Sequence, residues 1–192
     1  VNDAPTVSNV NSETNEDSAK AVSLLGSDID SESLSYSVVN NPSNGSVSIS
    51  GSTATYTPNS NYNRTDSFTY RANDGSLNSG SATVTMTVNP VNDTPTVSNV
   101  SSTANEDSTK SINLLGSDID GDNLFYSIVN NPSNGSISVS GSTVTYTPNS
   151  NYNGTDSFTY RVSDGINPAR EISSTSPIID GLIFHVDASN IE

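Results

Sequence analysis

Apolar residues in this chain recur at every second position over short runs. Tyr36 stands between Ser35 and Ser37, flanked by Leu34 and Val38. Val47 and Ile49 alternate with Ser46 and Ser48, and Ala54 and Tyr56 with Thr53, Thr55 and Thr57. Phe68, Tyr70 and Ala72 follow the same rule, as do Ala82, Val84, Met86 and Val88. A period of two is the mark of a strand with one face buried. Turn formers bound each run: Asn40-Asn-Pro-Ser-Asn-Gly45, Gly51-Ser52, Pro58-Asn-Ser-Asn-Tyr-Asn63 and Asn73-Asp-Gly75. Gly51-Ser52 reverses the chain tightly enough to predict a hairpin. Val10–Asp17 is polar, Lys20–Leu25 is a short apolar run, and no stretch holds a helical period. About seven short strands and no helix predict an all-β fold, an antiparallel sandwich with Greek-key connections. Tyr62 and Tyr152 precede the sixth strand, where they form either a tyrosine corner or a rim tyrosine packed on a loop.

The pattern occurs twice. With Val1 set on Val91, about three quarters of the positions through Gly165 are identical without a gap, so two copies of one unit are joined end to end. The expected division is a first repeat over 1–90, a second over 91–177, and a tail over 178–192. Each repeat is of immunoglobulin-like size and holds one modest core. The copies part after Asp164-Gly165, where Pro168 and Pro177 would each remove a ladder donor and confine any last strand to a short or edge position. The tail either supplies that strand or opens a further domain. The second reading is adopted, because Gly181-Leu-Ile-Phe-His-Val-Asp-Ala-Ser-Asn190 resembles the opening strand of a laminin-G or concanavalin-like lectin domain.

Composition narrows the function. Net charge is −15, with two lysines (Lys20, Lys110) and four arginines, so no basic patch exists to neutralise phosphates. A nucleic-acid partner and adsorption to anionic membranes are both disfavoured. Without cysteine there is neither a disulfide framework nor a thiolate metal site. No apolar run is long enough to span a membrane, and no signal peptide is present. Beginning at a repeat boundary, the sequence reads as an internal segment of a longer protein. The apolar fraction of 31% is low, and Ser, Thr and Asn make up the difference, which suits thin strands with a polar face.

A sandwich gathers acidic residues that the sequence scatters. Its second-strand loop and its last turn lie at the end where the chain enters. For the second repeat this brings together Asn92, Asp93, Asp118, Asp120 and Asp164. Converging carboxylate and amide oxygens without a cationic neighbour suit Ca²⁺, which takes six to eight hard oxygen ligands, better than Mg²⁺. The alternative is an ordinary polar loop, since Asp and Asn are common turn residues. The loop is not an EF-hand, for Asn123 and Val129 stand where that motif needs Gly and Glu. Recurrence of the cluster at the same spacing in both repeats favours calcium.

These strings resemble a known family. Val-Asn-Asp-x-Pro at each repeat start, Asn-Glu-Asp about ten residues on, Ser-Asp-x-Asp, Tyr-Thr-Pro before Asp-Ser-Phe-Thr-Tyr, and a closing Asp-Gly are similar to the cadherin-like tandem repeats of large bacterial surface adhesins. The resemblance covers residues 1–165. It implies Greek-key sandwiches whose joints bind Ca²⁺ and stiffen. By that resemblance the joint would draw on Glu16 and Asp66 from the base of the first repeat, Asn92 and Asp93 from the linker, and Asp118, Asp120 and Asp164 from the top of the second. The matching N-terminal set is Asn2, Asp3, Asp28, Asp30 and Asp74, while Glu106 and Asp156 would face whatever follows. The chain departs from true cadherins in its linker, Asn89-Pro-Val-Asn-Asp93, and in Asn63-Arg-Thr-Asp66, where cadherins carry Leu-Asp-Arg-Glu. Fewer linker acids imply fewer ions per joint.

Other chemistry finds little support. His185 is the sole histidine and lies in the tail, so no Ser/His/Asp set is readable. Paired carboxylates for glycoside hydrolysis would need stacking aromatics, and tryptophan is absent. An isopeptide bond from Lys20 or Lys110 to an Asn is a minor candidate. The expectation is a non-enzymatic, monomeric, calcium-stiffened spacer or adhesion module of an extracellular bacterial multidomain protein. The alternative is a module that binds a cell-surface glycan or protein directly, or one attached to a carbohydrate-active enzyme.

Overall fold

The computed structural model describes residues 1–30, 33–165 and 186–187, and the chain divides into two compact units, Val1–Val91 and Asn92–Glu192. All regular structure among the described residues is β, and no helix there is long and apolar enough to cross a membrane.

The first unit contains β1 (Thr6–Val7), β2 (Val10–Asn15), β3 (Lys20–Ser23), β4 (Gly26–Ser27), β5 (Ser35–Asn40), β6 (Gly45–Ser50), β7 (Thr53–Pro58), β8 (Thr65–Asn73) and β9 (Ala82–Asn89). One sheet runs β2-β9-β8-β5 and the other β3-β7-β6, with β1 paired to β4. All neighbours are antiparallel except β2 and β9, which run parallel from Val10↔Val84 to Asn15↔Asn89. The β6–β7 hairpin turns at Gly51, whose φ of +58° suits a residue without a side chain.

Strict alternation places Ala54 and Tyr56 of β7, Phe68 and Tyr70 of β8, and Ala82, Val84, Met86 and Val88 of β9 in one core with Val22 and Leu24. β2 looked polar in the sequence because Thr14 fills its innermost position. That residue is buried, and its hydroxyl is satisfied by the Ser18 carbonyl at 3.0 Å. Tyr70 holds the entering chain: its hydroxyl donates to Ser8 O at 2.7 Å and accepts the Leu25 N–H at 3.0 Å. Tyr62 donates to Thr65 O, three residues downstream, at 2.7 Å, and so braces its own loop, whereas a tyrosine corner reaches upstream.

The second unit repeats the plan with β10 (Thr96–Ser98), β11 (Ser102–Thr103), β12 (Lys110–Asn113), β13 (Leu115–Ser117), β14 (Phe125–Asn130), β15 (Gly135–Ser140), β16 (Thr143–Pro148), β17 (Thr155–Asp156), β18 (Thr159–Ser163) and β19 (Val186–Asp187). Its core gathers Ile112, Leu114, Val144, Tyr146, Phe158 and Tyr160. Of the tail, β19 pairs parallel with β11 and antiparallel with β17. That is the place β9 takes beside β2 and β8 in the first unit. His185, Pro168, Pro177 and most of the lectin-like string lie outside the described residues.

Burial raises the tyrosine pKa values. Tyr56 is pushed well above its ordinary value by burial first, then by its hydrogen bond to Asp66 and that carboxylate's charge, and Tyr146 likewise beside Asp156. Burial also raises Tyr70 and Tyr160. An unfolded tyrosine ionises near pH 10. Below that pH both states hold the proton and these groups give no pH dependence; above it the unfolded chain loses protons first, and stability falls through the higher folded values. Urea midpoints measured against pH are therefore expected to drop from about pH 10 upward, and Tyr56→Phe should flatten part of that fall.

Candidate metal centre

Carboxylates collect at the head of each unit, where chain entry, the loop after β4 (β13 in the second unit) and the last turn meet. In the second unit Asn92 Nδ2 donates to Asp164 Oδ2 at 2.7 Å, and the Asp93 N–H donates to Asp120 Oδ2 at 2.7 Å. Asp118 Oδ1 accepts the Asp120 N–H at 2.9 Å and the Asp122 N–H at 3.4 Å. Gly121, at φ +79°, lets the loop turn back so that Asp122 rejoins the group. Asp118, Asp120 and Asp122 each offer an oxygen within 4.8 Å of the others. Asp118 Oδ2 is buried and has no hydrogen-bond partner.

This set passes a simple test of fit. Two oxygens bound to one calcium at about 2.3–2.6 Å lie no more than about 5 Å apart, and the three oxygens here meet that limit. Among the described residues no lysine or arginine pairs with them. Asp118, Asp120 and Asp122 would hold the ion, and Asp118 Oδ2 would gain the partner that it lacks.

The first unit repeats the frame ninety positions earlier. Asn2 Nδ2 donates to Asp74 Oδ2 at 2.9 Å, Asp3 N–H to Asp30 Oδ2 at 2.8 Å, and Asp30 N–H to Asp28 Oδ1 at 2.8 Å. The N–H groups of Leu77 and Ser76, then the Asn2 amide, hold the Asp74 carboxyl below the usual carboxylate range. All five residues of each predicted head set are thus brought together. Asp122 was missed by sequence reasoning; Asp118-Ile-Asp-Gly-Asp122 carried the sign, since a glycine at the fourth place can fold a third aspartate back.

The predicted base residues divide. Glu16 is 3% exposed; its Oε1 accepts the Val91 N–H at 2.5 Å, and its Oε2 has no hydrogen-bond partner. Asp66 has other work. It is 6% exposed and accepts four bonds within its own unit: Ser43 N–H at 3.1 Å, Asn44 N–H at 2.9 Å, Ser67 N–H at 2.8 Å and Tyr56 Oη–H at 3.0 Å. Asp156 repeats this with Ser133, Asn134, Ser157 and Tyr146. These two carboxylates lock the Asn-Pro-Ser-Asn-Gly turn between β7 and β8, which belong to opposite sheets, or between their copies in the second unit. Glu106 is half-buried. Asp17 and Asp107 adopt positive φ and accept the N–H of Asn61 and Asn151, pinning the crossover loop.

Two Greek-key sandwiches with acidic heads define a tandem immunoglobulin- and cadherin-like repeat protein. The chain belongs to the bacterial Ig domain family, whose pattern matches residues 2–87 and again 92–172. No curated protein matches it. Among solved structures it is similar to domains EC1-2 of human mucin-like protocadherin, at 15% identity over 95% of this chain and 97% of that one, with a TM-score of 0.52. Cadherin domains 3–6 of protocadherin gamma B2 match at 12% identity over 97% and 47%, with a TM-score of 0.51. An endo-fucoidan hydrolase of glycoside hydrolase family 107 matches at 17% identity over 96% of this chain, with a TM-score of 0.42, and the chain spans 28% of that enzyme. For the two protocadherins the likeness, at these identities, is one of fold alone.

Proposed function

We propose that this chain is a structural spacer of an extracellular bacterial multidomain protein, and that calcium at the head of a repeat stiffens its joint to the preceding one. Bacterial Ig domains are non-catalytic modules, which supports a role in connection. The observation that carries the calcium reading is Asp118 Oδ2, a buried carboxylate oxygen without a hydrogen-bond partner inside a three-carboxylate cluster. Burying such an oxygen is costly unless a cation or donor meets it.

The residues that would hold calcium are Asp118, Asp120 and Asp122, with Asn92, Asp93 and Asp164 around them. The chain's own part is positioning. Val91 is fastened to Glu16 on one side, and the next two residues, Asn92 and Asp93, to Asp164 and Asp120 on the other. Pro90 and Pro95 narrow the backbone conformations of the linker. The ion's contribution is positive charge, which offsets carboxylate repulsion that would otherwise push the linker away from the head.

Calorimetric titration with Ca²⁺ tests this reading. Saturable binding is expected, and Asp118→Ala combined with Asp122→Ala should remove the head site. Absence of binding by the intact chain at millimolar calcium would sink the proposal. Direct recognition of a glycan or protein is the competing role, and binding to a glycan array in the presence of chelator would favour it.

A further inference from the structure

We propose that the second repeat is closed by a strand slot filled by Val186–Asp187, so that the repeat extends past residue 172, where its family match ends. The register carries the inference. In the first unit Met86 and Thr87 of β9 lie opposite Ser12 and Glu13 of β2, and opposite Asp66 and Thr65 of β8. In the second unit Val186 and Asp187 lie opposite Ser102 and Thr103 of β11, and opposite Asp156 and Thr155 of β17. The partners on both sides are the same repeat positions ninety residues on. The directions also agree, parallel to one neighbour and antiparallel to the other. Two independent ladders thus assign β19 to the position of Met86–Thr87.

The slot matters because of what its strand supplies. In the first unit β9 gives Ala82, Val84, Met86 and Val88 to a core whose other members are Val22, Leu24, Ala54, Tyr56, Phe68 and Tyr70. The second unit's buried cluster, Ile112, Leu114, Val144, Tyr146, Phe158 and Tyr160, matches those other members one for one. A sandwich lacking this strand would open one wall of its core and leave the facing backbone groups of β11 and β17 without a ladder. Main-chain pairing provides the affinity in such a slot and makes few demands on sequence. A divergent segment can therefore replace the familiar last strand.

The test uses the 192-residue chain, which has no cysteine of its own. Thr155 and Asp187 are directly opposed across an antiparallel pair, where Cα atoms stand about 4.5–5.5 Å apart, inside the span of a disulfide. Thr155→Cys with Asp187→Cys is expected to oxidise to an intrachain disulfide, whereas Ser138→Cys with Asp187→Cys, which places one thiol on β15 in the other sheet, should not. As a second measurement, Val186→Pro removes a ladder donor and should lower the second repeat's melting transition by at least about 5 °C while leaving the first in place. Failure of the Thr155/Asp187 pair to oxidise, a bond formed only between chains, or an unshifted transition in Val186→Pro would overturn the assignment.

Discussion

Asp66→Ala is expected to lower the melting temperature of the first repeat by roughly 12–24 °C, the largest effect of any single substitution considered. Four donors converge on that carboxylate: the N–H groups of Ser43, Asn44 and Ser67 and the hydroxyl of Tyr56. The Tyr56 ring is 0% exposed, so its hydroxyl gains little from water when its acceptor is removed. Each unsatisfied buried donor costs on the order of 1–3 kcal/mol. Partial rehydration of the turn brings the total to about 3 kcal/mol, and a domain of this size loses about 4–8 °C per kcal/mol. Tyr56→Phe removes one bond only and should cost about 1 kcal/mol. Calorimetric melting in chelator and in calcium checks the assignment, because an internal lock predicts the same loss in both. A loss present only in calcium would instead make Asp66 a ligand.

The second large effect is calcium's own. An ion that binds only the folded chain stabilises it by about 2.7 kcal/mol at a hundred times its dissociation constant, which corresponds to a rise of roughly 11–22 °C in the melting transition of the second repeat. Asp118→Ala should abolish most of that rise. It removes both the buried unpartnered oxygen and the acceptor that shapes the Asp118–Asp122 loop. In chelator the same variant should melt close to the parent, since relief of carboxylate repulsion offsets the lost loop bonds. A calcium shift that survives Asp118→Ala would move the site elsewhere.

Much of this architecture was legible in the sequence because strand and turn chemistry are local. Serine and threonine alternating with Val, Tyr and Phe have only one way to bury their apolar face. The head cluster was legible as well, since sandwich topology alone carries Asn92, Asp93, Asp118, Asp120 and Asp164 to one end. Three features were not. The parallel pairing of β2 with β9 escaped because Thr14, a polar residue with an internally satisfied hydroxyl, fills the buried position of β2. The place of Asp66 escaped because only the fold shows that the Ser43–Asn44 turn and the Tyr56 hydroxyl reach it first. Asp122 escaped because its return to the cluster depends on the positive φ of Gly121, which a one-dimensional pattern does not display.

Small-angle scattering of the intact chain, compared in calcium and in chelator, tests the central claim most directly. A calcium-stiffened spacer predicts a larger and better-defined maximum dimension with calcium, and a broader distance distribution in chelator. Asp118→Ala should show the chelator profile under both conditions. Superimposable profiles with and without calcium, at concentrations that saturate calorimetric binding, would contradict the account.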